Sequence, residues 1–334
     1  MVRVWFNHWF STSYGLIELM KQDAKDEIYV IGTNKRVDSV IQKVCDEWYQ
    51  DPTTDGEEYL RYCLDFCVEH HVDVFVPRRK MVDISQNRKR FEEIGVRIMV
   101  DDYEVIRLLN DKAAAYDFFK ECSELHIPDY AIVTDVDGFV REYARLREDY
   151  DQVCVKFVQD EGAMSYRRIV ENVDKSKSLR IYPGAQTSYE DYLEGLMGLG
   201  SFSPLMVMPY LPGEEISVDC LNTPTGLIAV PRYKGSARQE EIHYDEEILK
   251  MVHAIMEKTK LKCPCNIQFK LRDGMPYLLE VNTRMSGGLQ MSCLAEDINI
   301  PNIALNLVLG REVSWSFQPK ERVVSYIEIP KIIR

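Results

Sequence analysis

Residues 266–284 constrain this chain more than any other stretch. Asn266-Ile267-Gln268-Phe269-Lys270-Leu271 alternates polar and apolar side chains, as a half-buried strand does. Arg272-Asp273-Gly274-Met275-Pro276 follows, with the Asp-Gly pair of a tight hairpin turn. Tyr277-Leu278-Leu279-Glu280-Val281-Asn282-Thr283-Arg284 then reads as a second strand. Side chains two apart in a strand share a face, so Glu280, Asn282 and Arg284 point one way, Val281 and Thr283 the other. Pairing of the two strands is expected to bring Gln268 near Glu280. A carboxylate and amide oxygens on one face suit a hard cation such as Mg²⁺. An arginine beside them neutralises charge on a transferring phosphoryl group. The bland alternative is a solvated hairpin, whose charges would alternate in sign rather than converge with a glutamine.

Three upstream segments carry related signals. Asn110-Asp111-Lys112 opens a helical pattern that ends near His126-Ile127-Pro128, with Asp111 a natural N-cap. Val153-Cys154-Val155-Lys156-Phe157-Val158 is an apolar strand with one cation, and a lysine there is costly unless partnered. Leu205-Met206-Val207-Met208-Pro209-Tyr210-Leu211-Pro212-Gly213 is a strand broken by proline, able to line a flat pocket. A plain edge strand and turn would give the same Pro-Gly pattern.

In this order the segments resemble the ATP-grasp superfamily, most closely the branch of carbamoyl-phosphate synthetase large subunits and carboxylate–amine ligases. The resemblance implies ATP as cofactor, with Mg²⁺ or Mn²⁺ on Gln268, Glu280 and Asn282, and Arg284 facing the phosphate. It implies Lys112 and Lys156 at the nucleotide phosphates, and Met208, Tyr210 and Leu211 in an adenine hinge. Glu215 takes the ribose, with Glu214 its competitor. One of Arg232, Lys234 and Arg238 faces the phosphates, and Ser286-Gly287-Gly288 offers backbone N–H groups to an acceptor carboxylate at a helix start. Gln159 to Arg168 stands where relatives carry a glycine-rich lid; only Gly162 and Ser165 match it, so closure is expected to use Ser165 with Arg167 or Arg168.

Residues 1 to about 100 alternate strand and helix patterns: strands at Val2–Phe6, Glu27–Gly32, Asp73–Pro77 and Val96–Val100, helices at Gly15–Gln22, Val37–Cys45, Glu57–His70 and Ile84–Glu93. That order implies a parallel, Rossmann-like sheet. Asn7-His8-Trp9-Phe10-Ser11-Thr12-Ser13-Tyr14-Gly15 replaces the glycine fingerprint of a dinucleotide site, so NAD is not expected. Loops at strand carboxyl ends meet ligands in such sheets. Arg78, Arg79 and Lys80 after the third of these strands are therefore candidates to hold an anionic substrate, against a solvated loop as the plain alternative.

The fold class expected is α/β and α+β: a Rossmann-like domain at 1–104, an ATP-grasp small lobe at 105–180, and a large lobe with the metal hairpin at 181–334, ATP lying between the lobes. The function expected is an ADP-forming carboxylate–amine (or thiol) ligase working through an acyl phosphate. The alternatives are phosphorylation of bicarbonate or carbamate, and a non-catalytic ATP-binding module. The partners are a small carboxylate and an amine, with a homodimer as a family-level expectation. A net charge of −13 argues against nucleic acid and anionic membranes. No apolar run approaches a membrane span and the first residues are not a signal peptide, which makes the cytoplasm the default location. Of the nine cysteines, Cys45, Cys63, Cys67, Cys122 and Cys154 read as reduced core residues; Cys263 and Cys265 lack further soft ligands for zinc.

Overall fold

The computed structural model describes residues 1–8, 10–22, 25–158, 164–173, 185–235 and 238–333. Strands β1 (Val2–Phe6), β2 (Ile28–Asn34), β3 (Glu47–Gln50), β4 (Val74–Val76) and β5 (Arg97–Ile98) form a parallel sheet in the order β3-β2-β1-β4-β5. Alternation along β1 sends its side chains to two cores. Trp5 stacks on Phe75 at 3.9 Å between ring centroids and packs with Tyr59 and Phe66 of the helix Gly56–Glu69. Val4 and Phe6 face the opposite core with Leu16, Ile17 and Met20 of the helix Ser13–Lys21.

Two details of this sheet differ from the sequence reading. The helix expected at Val37–Cys45 is only a 3-10 turn, Val40–Lys43, started by the Ser39 hydroxyl, and the polar segment after it joins the sheet as β3. The edge strand β3 exposes half of its residues, so no apolar alternation announced it. The helix expected at Ile84–Glu93 is two short helices, Met81–Gln86 and Arg88–Glu93, broken at Asn87, whose amide donates to Asp83 O at 2.9 Å.

Strands β6 (Ala131–Val133), β7 (Val153–Phe157), β8 (Arg167–Ile169), β9 (Gln186–Thr187) and β10 (Leu205–Pro209) form a second sheet, β6-β10-β7-β8-β9. Strands β11 (Glu215–Thr223), β12 (Gly226–Lys234), β13 (Gln239–Ile242), β14 (Cys265–Arg272), β15 (Met275–Asn282) and β16 (Arg322–Ser325) form a third, β15-β14-β11-β12-β13-β16. The pairings β11–β12, β12–β13 and β13–β16 are antiparallel. The Asp-Gly turn joins β14 to β15, with Asp273 at φ 52° and Gly274 at φ 80°. Two successive positive φ values are the signature of a type I′ turn, whose twist matches paired strands.

Contacts cluster into two compact units. One comprises Met1–Leu109, Glu214–Gln268 and Val281–Arg334; the other comprises Asn110–Gly213 and Phe269–Glu280. The architecture is the mixed α/β and α+β class expected. No helix among the described residues is long and apolar enough to cross a membrane. The nine cysteines are free, and burial pushes the Cys154 thiol up to about 11.

Candidate functional site

In the unit containing the second sheet, β7 and β10 pair antiparallel, with Met206 opposite Lys156 and Met208 opposite Cys154. One face of this pair, bearing Val153, Val155, Leu205 and Val207, packs on the helices Val136–Asp149 and Tyr189–Leu199. On the other face, Cys154, Met206 and Met208 gather with Tyr116 of the helix Lys112–Phe119, beside Tyr166 and Tyr210. Lys156 shares that face by strand alternation.

Charged groups collect beside this apolar wall. Asp111 accepts the N–H groups of Ala113 and Ala114, each at 3.0 Å, and so starts the helix with Lys112 at its first position. Lys112 Nζ lies 3.4 Å from Glu280 Oε2, both side chains half-buried. Tyr116 donates its hydroxyl to Leu279 O at 2.8 Å, and Leu278 N–H donates to His126 O at 2.9 Å, which fixes Glu280 along its strand. Burial pulls the Lys156 ammonium down to about 8; the Lys112 charge adds to that pull, and Glu280 and the Cys154 thiol oppose it. Two cations thus face one carboxylate.

The hinge after β10 differs from the expectation in one respect. Tyr210 N–H already donates to Gln152 O at 2.8 Å, so it is spent within the fold. Met208 and Leu211 are buried, while Tyr210 is half-buried with the Arg168 guanidinium 4.6 Å over its ring. Ser165 Oγ accepts Phe157 N–H at 2.9 Å and fastens the chain after the expected lid to the end of β7. Gly162 lies outside the described residues.

In the other unit, Gln268 Nε2 donates to Asn266 Oδ1 at 3.2 Å, and Arg284 Nη2 donates to Asn282 Oδ1 at 3.3 Å. Gln268, Asn282 and Arg284 are all half-buried. Behind Gln268 stands a polar network that the sequence reading missed. Asp219, fully buried, accepts from Asn266 Nδ2 at 2.8 Å, Ser286 Oγ at 2.6 Å, Ser292 Oγ at 2.6 Å and Arg232 Nε at 2.9 Å. Arg232 also donates to Glu240 and to Ser286 Oγ, the latter at 3.1 Å. The available signal was a set of polar residues inside otherwise apolar strands: Ser217, Asp219, Arg232 and Asn266.

Each of the three candidate phosphate-facing cations has a carboxylate partner. Arg232 is 2 % exposed and locked to Asp219 and Glu240. Lys234 pairs with Glu215, the predicted ribose ligand, and Arg238 pairs at the surface with Glu328. The Ser286–Gly288 loop is likewise engaged internally, since Gly288 N–H donates to Ser286 Oγ at 3.2 Å. Space there is tight: a Cβ on Gly288 would lie 2.2 Å from Arg232 Nη1.

Comparison with known proteins bears on this arrangement. A family model described as "ATP-grasp in the biosynthetic pathway with Ter operon" matches residues 201–331, which hold the hairpin and the buried network. The biotin carboxylase domain of Hydrogenobacter thermophilus 2-oxoglutarate carboxylase, solved with MgADP, ADP and bicarbonate, superposes with a TM-score of 0.66 at 17% identity, covering 94% of this chain and 71% of that one. The match to an ATP-grasp family covers the 201–331 segment of the chain. A second structure with this fold, the L-amino acid ligase of Bacillus licheniformis, superposes with a TM-score of 0.65 at 14% identity, over 92% of this chain and 74% of that one. In sequence, the carbamoyl phosphate synthase large chain of Pseudothermotoga lettingae is 21% identical over 328 residues, 91% of this chain. The chain spans 28% of that relative's length.

The two hairpin strands carry hard oxygen donors, the Glu280 carboxylate in one unit and the Gln268 and Asn282 amides in the other. Among the described residues no three His, Cys, Asp or Glu side chains gather as a metal site. The hairpin instead offers one carboxylate and two amide oxygens, hard donors of the kind that share Mg²⁺ with phosphate. Glu280 and Asn282 each have a cationic group beside an oxygen, Lys112 and Arg284 respectively.

Proposed function

We propose that this chain is an ATP-dependent, ADP-forming ligase that activates a carboxylate as an acyl phosphate and joins it to an amine. The observation that carries the reading is the Lys112–Glu280 pair at 3.4 Å, whose charges act on Lys156, on a strand that ends at Asn282, two residues before Arg284. A pair of cations around one carboxylate suits a nucleotide whose phosphates arrive with Mg²⁺.

Each predicted residue then has a task. Gln268, Glu280 and Asn282 hold Mg²⁺, or Mn²⁺, which when bound neutralises charge on the β- and γ-phosphates. Lys112 and Lys156 hold phosphate oxygens. Met208, Tyr210 and Leu211 line the adenine; Tyr210 N–H is spent and Pro212 has none, so Leu211 N–H is the hinge donor. Glu215 takes the ribose by exchanging its bond to Lys234. Ser165 steadies the lid. Arg284 stabilises the γ-phosphoryl group as it passes from ATP to a substrate carboxylate oxygen, ADP leaving. The amine nitrogen then attacks the acyl carbon, phosphate leaves with the bridging oxygen, and the amine loses a proton. No covalent enzyme intermediate is required, since positioning and electrostatics carry such transfers. The segments 1–104, 105–180 and 181–334 are proposed as the acceptor-binding, small-lobe and large-lobe parts of this machine.

Bicarbonate or carbamate phosphorylation is the second reading, favoured by the carbamoyl phosphate synthase relative and by the bicarbonate in the biotin carboxylase structure. ADP release from MgATP, measured with pools of carboxylic acids and amines and separately with bicarbonate, decides between them. Turnover is expected only when an acid and an amine are both present. Turnover with bicarbonate alone moves the assignment to the second reading. Tight nucleotide binding with no turnover in any pool makes the chain a non-catalytic module and overturns both.

A further inference from the structure

We infer that Asp219 is a positioning residue: acting through Asn266, it sets which end of the Gln268 amide is turned outward, so that oxygen rather than nitrogen is offered to a hard cation. This deepens the proposed ligase function and rests on it in taking Gln268 as a metal ligand. An amide side chain has an acceptor end and a donor end, and its neighbours decide which lies where. Asp219, Asn266 and Gln268 belong to one unit. Asp219 and Asn266 are fully buried, and Gln268 is half-buried.

The direction of the relay is set at Asp219. Its Oδ2 accepts from Arg232 Nε at 2.9 Å and from Ser292 Oγ at 2.6 Å. Its Oδ1 accepts from Ser286 Oγ at 2.6 Å and from Asn266 Nδ2 at 2.8 Å. Ser286 cannot run the other way, since its oxygen already receives Arg232 Nη2 at 3.1 Å and Gly288 N–H at 3.2 Å. Donors thus surround both carboxylate oxygens, and Asp219 only accepts. Asn266 must turn its nitrogen to Asp219, which leaves its oxygen to receive Gln268 Nε2 at 3.2 Å. Ser217 Oγ lies 3.0 Å from Asn266 Nδ2 and 3.2 Å from its Oδ1, so that hydroxyl fits either direction. Gln268 Nε2 is therefore committed inward, and Oε1 is the end turned away from Asn266. Oxygen is the donor that Mg²⁺ takes. Partners that orient a metal ligand typically carry about 10- to 100-fold of metal affinity.

Asp219→Asn keeps the shape and reverses the relay. An amide nitrogen in place of Oδ1 turns Asn266 round, Asn266 Nδ2 then faces Gln268, and Gln268 presents nitrogen outward. Arg232 keeps Glu240 as its partner. Mg²⁺ titrated calorimetrically into the ADP complex of the full chain should bind about 10- to 100-fold more weakly in Asp219→Asn than in the wild type. ADP affinity in EDTA, which also reports folding, should stay unchanged. Adding Gln268→Glu to Asp219→Asn should restore Mg²⁺ affinity, because a carboxylate accepts from the turned Asn266 and still offers an oxygen. In the wild-type background Gln268→Glu should weaken Mg²⁺, since it sets a carboxylate oxygen against Asn266 Oδ1. A purely structural Asp219 gives no such reversal of sign, and an added negative charge alone would tighten Mg²⁺ in both backgrounds. Ser292→Ala, which removes a bond to Oδ2 only, should leave Mg²⁺ affinity unchanged. Unchanged Mg²⁺ affinity in Asp219→Asn, or no rescue by Gln268→Glu, overturns the positioning role; the metal assignment stands if Gln268→Ala weakens Mg²⁺. If Asp219→Asn does not fold, Gln268→Glu alone decides: weaker Mg²⁺ binding supports the role and tighter binding overturns it. Wild-type Mg²⁺ affinity in Gln268→Ala removes Gln268 from the metal and overturns the role together with that part of the ligase reading.

Discussion

Lys156 shows how a single residue reveals a site by being unfavourable. A lysine in an otherwise apolar strand gains nothing from packing its charge, and its pKa near 8 records that cost. The sign follows from linkage. Between about 8 and the unfolded value near 10.5 the unfolded chain binds the extra proton, so stability of the nucleotide-free, metal-free protein rises with pH across that window. Below about 8 the charge is present in both states and its burial cost is fully felt. Lys156→Met is therefore expected to raise Tm at pH 7 by a few degrees and to flatten the rise between pH 8 and 10. The same variant should weaken ADP binding by about 10- to 100-fold, since hydrogen bonds to charged groups contribute about 1.5–3 kcal/mol. Paired thermal melts and ADP titrations check both. A variant that loses stability and keeps its ADP affinity would make Lys156 a structural residue. Arg232 teaches the converse: it stood as one of three candidate cations in the sequence, and its partners Asp219 and Glu240 come from strand pairings that a linear sequence does not display.

At the scale of elements, the hairpin was legible because two local rules agree in it. Alternation marks the strands, and Asp273-Gly274 demands the left-handed turn that joins them. Gly274 sits at φ 80°, where a β-branched residue is strained. Gly274→Val should cost about 1–2 kcal/mol. It should also reduce Mg²⁺-dependent ADP binding, because slippage by one residue turns each strand's side chains to the opposite face. Asp273→Asn should be close to neutral, as asparagine tolerates this region. Chemical denaturation of the two variants measures the difference, and equal stability would remove the turn as a determinant of register. The parallel first sheet was legible for the same reason, since β1, β2 and β4 are nearly continuous apolar runs. Strand β3 and the break at Asn87 were not, because an edge strand needs no apolar face and a side-chain-to-backbone bond leaves no periodic trace. The state of Tyr210 N–H was hidden likewise: only the fold brings it to Gln152 O.

For the whole molecule, charge sets a problem that the site must solve. The chain carries a net −13, so a free nucleotide approaches a predominantly repulsive surface, screened beyond roughly 8 Å at physiological salt. Lys112 and Lys156 oppose that field locally, but Glu280 cancels one of their charges. Full neutralisation of a diphosphate therefore needs a divalent cation, and Glu280, Gln268 and Asn282 are the oxygens proposed to share it. Binding to the native state alone contributes about 2.7 kcal/mol when ligand exceeds Kd by about 100-fold. MgADP should then raise Tm by roughly 4 °C. ADP with EDTA should give less than half of that shift, because the two lysines act without the metal. In Glu280→Gln the shifts with and without magnesium should become equal, while the ADP increment from the lysines persists. A wild-type shift that is the same in magnesium and in EDTA would strip the hairpin oxygens of their assigned role, and would leave the nucleotide held by cations alone.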